Sequence, residues 1–434
     1  AKLSNSLKYP LEQFEMQNNY QKMLSFSALQ NVSVQQFHGR GKRFFASAKP
    51  ICKVSSLAPT KAPSIGLEDL LETLTVDVEK AESKSLKLAL KVPITLSSSK
   101  VDVVENVGIR LELSNGCSGW GEIAVSPSNN GHHEAVSDAR LACEGLVRRP
   151  SMSLGSALYE IEKILPGPQM ASVRSGVEMA LIDAAARSIG LPLWRLFGGA
   201  SDTVVTGITI PIATPYEAAG LAGKHLKQGF KTLKIKLRND LNSDVEVLEH
   251  VIKNRPECTL ILEGNEKYNP EEAIQLIGKL REIGVQPLLF KQPVRRDDWE
   301  GLRYVTRAAK KYGVPIAADE SCCSAADARR ITEENLADVI EVKLAKNGVM
   351  GALEITKLAR KAGMEVAIGG MIETRVAAGF AGHLAAGLGC FKFVHLESPL
   401  LLAEDPVFGG YEVSGSVYKL TNVKGHAGFL HWDR

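Results

Sequence analysis

Along the chain the rhythm of apolar positions changes twice. From Leu86 to Leu113 it alternates, in LALKVPITL and then NVGIRLEL, and after a short SNGCSG turn the alternation resumes in WGEIAV. A period of two broken by a polar turn predicts an antiparallel meander. Spacing of three and four residues follows and predicts helices at about 134–147, 154–164 and 171–189. The last carries Val177, Ala180, Leu181 and Ala184 along one stripe, the pattern of a helix burying one face. These elements predict an α+β lobe over residues 86–202.

After residue 203 short apolar runs and helical spacing take turns. The runs are VVTGITI, TLKIKL, TLILE, PLLFK, PIAAD, VIEVKLA, EVAIG and FKFVHLE. Helices are predicted between them at 216–229, 244–254, 270–283, 299–312, 325–331, 350–362 and 374–386. Nearly continuous apolar strands alternating with helices are the mark of a parallel sheet covered by helices, and eight such strands close a barrel. The expectation is an α/β chain: a (β/α)8-type, modified TIM barrel over 203–398, capped by the α+β lobe, with the Gly-rich segment 399–434 returning to that lobe. A doubly wound open sheet is the alternative, but no G-x-G-x-x-G opens a helix after the first strand.

Composition narrows the class further. The chain has 434 residues, 44% hydrophobic and 23% charged, which excludes a disordered or collagen-like chain. A formal net charge of +3 with dispersed basic residues gives no footprint for nucleic acid or a membrane surface, so the expected partner is a small molecule. No stretch reaches the run of about 18 apolar residues that a spanning helix requires. Seven cysteines, none in a C-x-x-C pair, predict free thiols in a reducing compartment. In the first 65 residues nine Lys and Arg, from Lys2 to Lys61, face only Glu12 and Glu15. Residues 1–85 therefore read as a transit peptide or a disordered basic segment. The protein is expected to be soluble and intracellular, and organellar (plastid or mitochondrion) if that segment is a transit peptide.

In such a barrel the active site lies at the C-terminal ends of the strands. Here those ends carry Lys234 and Lys236, Glu263, Lys291, Asp319 and Lys343. Because strand side chains alternate, Lys234 and Lys236 point the same way, inward, while Leu233, Ile235 and Leu237 pack outward. Buried lysines need pairing or neutralisation, so the cluster is either a structural salt-bridge network with Glu263 and Asp319 or a set of general bases with lowered pKa. Lys236 on the second strand and Lys343 on the sixth face each other across an eight-stranded ring. Two bases so placed can take a proton from one face of a carbon and return one to the other, inverting the centre.

The Lys-x-Lys pair, Glu263-Gly264-Asn265, Gln292-Pro293, Ala-Asp-Glu-Ser at 318–321, Val-Lys-Leu-x-Lys around Lys343 and Gly-Gly-Met-Ile-Glu-Thr at 369–374 together resemble the enolase superfamily. Within it they look like the muconate-lactonizing subgroup, and most of all like its dipeptide epimerases. The resemblance runs from about residue 88 to 430. It implies Lys236 and Lys343 as acid/base catalysts, Lys234 on the substrate carboxylate, and Thr209, Gly370, Ile372, His395 and Glu397 against substrate, with Glu397 as partner of its ammonium. It further implies Mg²⁺ as cofactor, a dipeptide as substrate, and a homo-oligomer. Other reactions of the subgroup share the lysines: o-succinylbenzoate synthesis and cycloisomerisation.

The chain departs from that pattern at the metal. The family's ligands are Asp, Glu and Asp at the ends of strands three, four and five; here these positions hold Glu263, Lys291 and Asp319. A protonated lysine has no acceptor and cannot ligate Mg²⁺. Three readings stay open: metal held by Glu263, Asp319, water and substrate; the Lys291 ammonium taking the cation's place; or a barrel that binds without catalysing. His395 stands where an Asp is expected, and Val349 replaces the second Gly of a Lys-x-Gly-Gly turn. His132-His133 is read as part of a lobe loop.

Overall fold

A computed structural model describes residues 66–96, 99–125 and 131–432; the segment read as a transit peptide lies, up to residue 65, outside them. Among the described residues the first element is helix Leu67–Thr73, followed by β1 (Thr75–Val76) and β2 (Val78–Leu96). The lobe boundary expected at residue 86 therefore falls inside β2, because the alternation that marks it is diluted by charged residues between Val78 and Leu86. Strand β2 pairs antiparallel with β3 (Ser99–Leu113), which pairs with β4 (Ser118–Ile123), giving the expected meander. Helices Gly131–Val147, Leu154–Ile164 and Ala171–Ser188 follow, with β5 (Met152–Ser153) between the first two. His132 and His133 lie in the first turn of the first helix rather than in a loop. There His132 bonds through Nδ1 to the Glu105 carbonyl at 3.0 Å and through Nε2 to Ser85 Oγ at 2.9 Å.

Helix Ala171–Ser188 lies almost in contact with β4. A Cβ on Gly121 would fall 1.9 Å from the Gly176 carbonyl oxygen, and one on Gly119 2.0 Å from that of Ala180. Only glycine lets the two backbones approach this closely.

The expected first barrel run, VVTGITI, divides in two. Strand β6 (Thr203–Val205) turns outward to pair with β17 (Val417–Leu420), while β7 (Ile208–Ile210) enters the barrel. Seven further strands complete an eight-stranded parallel sheet in sequence order: β8 (Thr232–Lys236), β9 (Thr259–Glu263), β10 (Leu289–Lys291), β11 (Ile316–Ala318), β12 (Val339–Lys343), β13 (Glu365–Gly369) and β14 (Phe391–His395). Strands β14 and β7 meet along a seam where the Gly207 N–H donates to the Val394 carbonyl and the Leu396 N–H to Thr206 Oγ1, each at 2.9 Å. The barrel is thus nearly closed. The connecting helices start with side-chain caps: Thr214 and Asn269 form capping boxes with Glu217 and Glu272, each ahead of a proline. The tail forms an antiparallel pair of β15 (Val407–Gly409) and β18 (Gly428–Leu430), and β16 (Tyr411–Ser414) pairs with β17 (Val417–Leu420). Trp432 packs edge-on to Trp120 of the lobe, ring centres 5.2 Å apart.

Two lobe carboxylates fasten the lobe to the barrel by capping barrel helices. Glu122 accepts from the Thr374 and Ala377 N–H groups and from Thr374 Oγ1 at 2.6 Å, at the start of helix Arg375–Leu388. Glu178 accepts from the N–H of Val349 at 2.5 Å, where helix Val349–Lys361 begins. The exposed N–H groups and the helix dipole favour a negative charge at both places, but burial outweighs them and raises both carboxyls above the ordinary value, Glu178 to about 7. Among the described residues no helix is long and apolar enough to cross a membrane, and Cys117, Cys143, Cys258, Cys322, Cys323 and Cys390 are free.

Two measurements test this docking. Gly121→Ala must push helix Ala171–Ser188 off β4 and is expected to cost about 3 kcal/mol or more in denaturant unfolding, whereas a cost under about 1 kcal/mol would contradict the close approach. Glu373, beside Glu122, is pushed up to about 8, by burial first and by the Glu122 carboxylate second. Between its ordinary value of 4.5 and about 8 the unfolded chain has lost this proton and the native chain keeps it. Stability should therefore fall as pH rises through that window, by up to about 1.4 kcal/mol per pH unit. Glu373→Gln should gain on the wild type across the window and level off above it; parallel stability curves would refute the assignment.

Candidate active site

The inner wall of the barrel is layered by the two-residue period of its strands. One layer is apolar: Ile261, Leu289, Ala317, Val339 and Ala367, with Phe393 packed against them. Two residues further along the same strands, or just past their ends, the next layer holds Glu263, Lys291, Asp319, Glu341, Gly369 and His395. A charged layer thus rests directly on an apolar one. Lys291, Asp319 and Glu341 have no exposed surface, and Glu263 and His395 are 3% exposed.

Lys291 is the hub of this layer. Its Nζ lies 3.3 Å from Glu263 Oε1, 3.4 Å from Asp319 Oδ2 and 3.1 Å from Glu341 Oε1. Burial alone would discharge it, but Glu263, Glu341 and Asp319 outweigh that and hold its pKa well above the ordinary lysine value. Burial likewise works against the charge on Glu263, yet Lys291 and then Lys234 keep it below the usual carboxylate range. Asp319 is held low in the same way, against burial, by Lys343, Lys346 and Lys291.

The remaining lysines divide into two states. Lys343 Nζ sits 2.7 Å from Asp319 Oδ2; burial opposes its charge, but Asp319 raises its pKa above the ordinary value. Lys236, opposite it in the ring and in register with Glu263, is shifted down, chiefly by burial, with Glu263 opposing and Lys234, Lys343 and Lys291 adding. Lys234 pairs with Glu263 Oε2 at 3.1 Å and lies 3.9 Å from Glu397 Oε1. Thr209 Oγ1 donates to the same Glu397 oxygen. His395 is kept neutral by burial and by Lys234, and neither of its ring nitrogens has a hydrogen-bond partner among the described residues. Thr209, Lys234, Lys236, Glu263, Lys291, Asp319, Lys343, His395 and Glu397 are therefore brought to one end of the barrel. Gly370 follows β13 at that end. Ile372 lies at the seam with the lobe, its carbonyl taking a bond of 2.9 Å from Asn106 Nδ2 and its side chain packing against Leu88, Leu90, Val104 and Leu402.

Backbone strain fixes the carboxylates. Gln292, the residue after Lys291, has φ 34°, and Asn265 has φ 46°, in the region that L-residues avoid unless held there. The Gln292 side chain supplies the hold: its Oε1 accepts from the N–H of Asp319 at 2.9 Å and of Ser321 at 3.1 Å, and its Nε2 donates to Ser321 Oγ at 2.7 Å and the Val294 carbonyl at 2.9 Å.

Sequence reasoning missed two residues. Glu341 lies inside an apolar run, but it shares the parity of Lys343 on β12 and so faces inward, a signal open to the same alternation rule. Lys346 follows the strand and reaches back to Asp319 Oδ1 and the Glu341 carbonyl, each at 3.0 Å; nothing in its spacing gives that direction.

The donor set does not fit Mg²⁺. The ion needs about six oxygens at roughly 2.0–2.1 Å in octahedral array, and the point where Glu263 and Asp319 converge holds an ammonium with no lone pair. Among the described residues no three His, Cys, Asp or Glu side chains are grouped to hold a metal. At the metal position expected of Glu263, Asp319 and Lys291, the Lys291 ammonium lies between the two carboxylates, the geometry of the reading in which it takes the cation's place.

Known proteins share this architecture. Residues 80–198 match the N-terminal domain model of the mandelate racemase / muconate lactonizing enzymes, and 217–427 the enolase C-terminal domain-like model. An L-Ala-D/L-amino acid epimerase from Populus trichocarpa is 57% identical over 86% of this chain and 90% of its own length. The solved structure of the substrate-liganded L-Ala-D/L-Glu epimerase from Bacillus subtilis matches with TM-score 0.77 at 31% identity, covering 81% of this chain and 99% of that one. The dipeptide epimerase from Enterococcus faecalis V583, complexed with Mg and the dipeptide L-Leu-L-Tyr, matches with TM-score 0.73 at 27% identity, covering 81% and 99%. With its lobe, its barrel and its inward lysines accounted for, the chain belongs to the mandelate racemase and muconate-lactonizing family of the enolase superfamily.

Proposed function

We propose that the protein is an isomerase that epimerises the C-terminal residue of a dipeptide, of the L-Ala-L-Xaa to L-Ala-D-Xaa type, by proton transfer between Lys236 and Lys343. The observation that carries the reading is the opposed pair. Two lysines project inward from the second and sixth of eight strands, one with its pKa lowered by burial and the other held charged by Asp319 at 2.7 Å. A lysine whose charge burial disfavours, facing one whose charge a carboxylate holds, is the asymmetry that a 1,1-proton transfer needs. The α C–H bond breaks as its proton passes to the amine. The electron pair moves into the adjoining carboxylate, giving an enolate, and a new C–H bond forms on the opposite face with the proton of the ammonium. The reverse direction exchanges the roles of the two lysines.

The other side chains suit a dipeptide's two ends. Lys234, already between Glu263 and Glu397, receives the substrate carboxylate. Glu397, oriented by the Thr209 hydroxyl, receives the ammonium. His395, neutral and with unpaired ring nitrogens, offers a hydrogen bond where an acidic residue would offer charge, and Gly370 and Ile372 border the same space. A bound Mg²⁺ would supply a Lewis acid for the enolate. Glu397 favours the dipeptide over the other substrates of the subgroup, because neither a succinylbenzoate precursor nor a muconate carries an ammonium.

Incubation of the protein with a mixed L,L-dipeptide library in D₂O tests the reading by mass spectrometry. One deuterium at the α-carbon of the C-terminal residue is expected. Lys236→Ala and Lys343→Ala should each lower epimerisation about 10²-fold or more while leaving the circular dichroism spectrum unchanged. Absence of exchange by the wild type in any member of the library, with and without Mg²⁺, would refute it in favour of a barrel that only binds.

A further inference from the structure

We propose that this site carries its cation covalently: the Lys291 ammonium is the resident counter-ion of Glu263, Asp319 and Glu341, and the barrel mouth excludes divalent metal ions. The exclusion stands on geometry alone. What the ammonium serves, an enolate formed without metal, rests on the epimerase reading.

The first argument is occupancy. Five of the six oxygens of Glu263, Asp319 and Glu341 lie within ion-pair distance of an ammonium, and the sixth, Glu341 Oε2, is buried with no hydrogen-bond partner among the described residues. Glu263 gives Oε1 to Lys291 and Oε2 to Lys234. Asp319 gives Oδ1 to Lys346 and shares Oδ2 between Lys343 and Lys291. Glu341 gives Oε1 to Lys291. A metal ion would have to displace several of these contacts and drive Lys291, which has no exposed surface, out of a pocket floored by the apolar layer.

Charge balance is the second. Four carboxylates, Glu263, Asp319, Glu341 and Glu397, are ion-paired with four lysines, Lys234, Lys291, Lys343 and Lys346, so their formal charges cancel, and the adjoining Glu320 and Lys236, one of each sign, leave that balance unchanged. The network is neutral as it stands. A divalent ion would add two uncompensated charges in a buried site, which low polarity strongly disfavours.

The third is that the surroundings are built for the lysine. Glu341 supplies from β12 a third carboxylate for the ammonium. It has room because residue 369 on β13 is glycine: a Cβ there would fall 2.4 Å from Glu341 Oε1. Lys291 is thus one part of a cage to which three other strands contribute, and not an isolated change in a site otherwise ready for metal.

The test uses the full chain, stripped with a chelator, and Mn²⁺ as probe, read by the loss of its free electron paramagnetic resonance signal. The wild type should bind no Mn²⁺ at millimolar concentration. Lys291→Glu should bind it at least about a hundredfold more tightly, since a repelling charge becomes a ligand. Lys291→Gln, which removes the charge without adding a carboxylate, should fall between them and serves if the glutamate variant does not fold. Stoichiometric Mn²⁺ binding by the wild type, or binding by a folded Lys291→Glu no tighter than the wild type's, would overturn the proposal. Deuterium exchange is run in parallel: equal rates in chelator and in Mg²⁺ support it, and a strict need for Mg²⁺ overturns it. Exchange absent in both conditions counts against epimerisation, and the Mn²⁺ titration then decides the tethered cation by itself.

Discussion

A lysine ammonium with no exposed surface, enclosed by three carboxylates, constrains everything above it in the barrel. Removing such charges from water costs several kcal/mol each, and only their mutual attraction and geometry repay it. None of the four can be discharged or removed alone without stranding the others. The cage therefore fixes the charge on Glu263 and Asp319, and these in turn set the state of the two lysines nearer the opening. Asp319 keeps Lys343 protonated, while burial keeps Lys236 low. The asymmetry that proton transfer needs follows from which lysine sits beside which carboxylate.

Such a cage tolerates little movement, and the fold supplies rigidity from two directions. Below, an apolar layer closes the barrel under the charges. At the side, Gln292 accepts a strained backbone and ties the end of β10 to the N–H groups of Asp319 and Ser321. The lobe adds its own hold through Glu122 and Glu178, which cap the helices following β13 and β12. The strands that carry Lys343 and Gly369 are thus steadied by the lobe. Lobe docking and site geometry are one mechanical problem.

Much of this was legible in the chain. The eight apolar runs gave the barrel because parallel strands buried on both faces have no polar side to show, and alternation alone placed Lys234 and Lys236 inward. The split of the first run at Thr206-Gly207 was not legible, since Val204 and Ile208 are equally apolar and only pairing partners distinguish them. Lys291 could be recognised as incompatible with a metal ligand's place, but its destination could not, because that depends on Glu341 from a strand fifty residues later. His132 and His133 look like loop residues after a polar turn, yet they open a helix whose capping signal is weak.

The central claim is that the cation among Glu263, Asp319 and Glu341 is Lys291. A crystal structure of the wild-type protein grown in millimolar MnCl₂, with data collected at the manganese edge, tests it most directly. The account predicts the Lys291 Nζ in contact with all three carboxylates and no anomalous density between them. An anomalous peak bonded to Glu263 and Asp319 at about 2.2 Å, with Lys291 turned away, would contradict it.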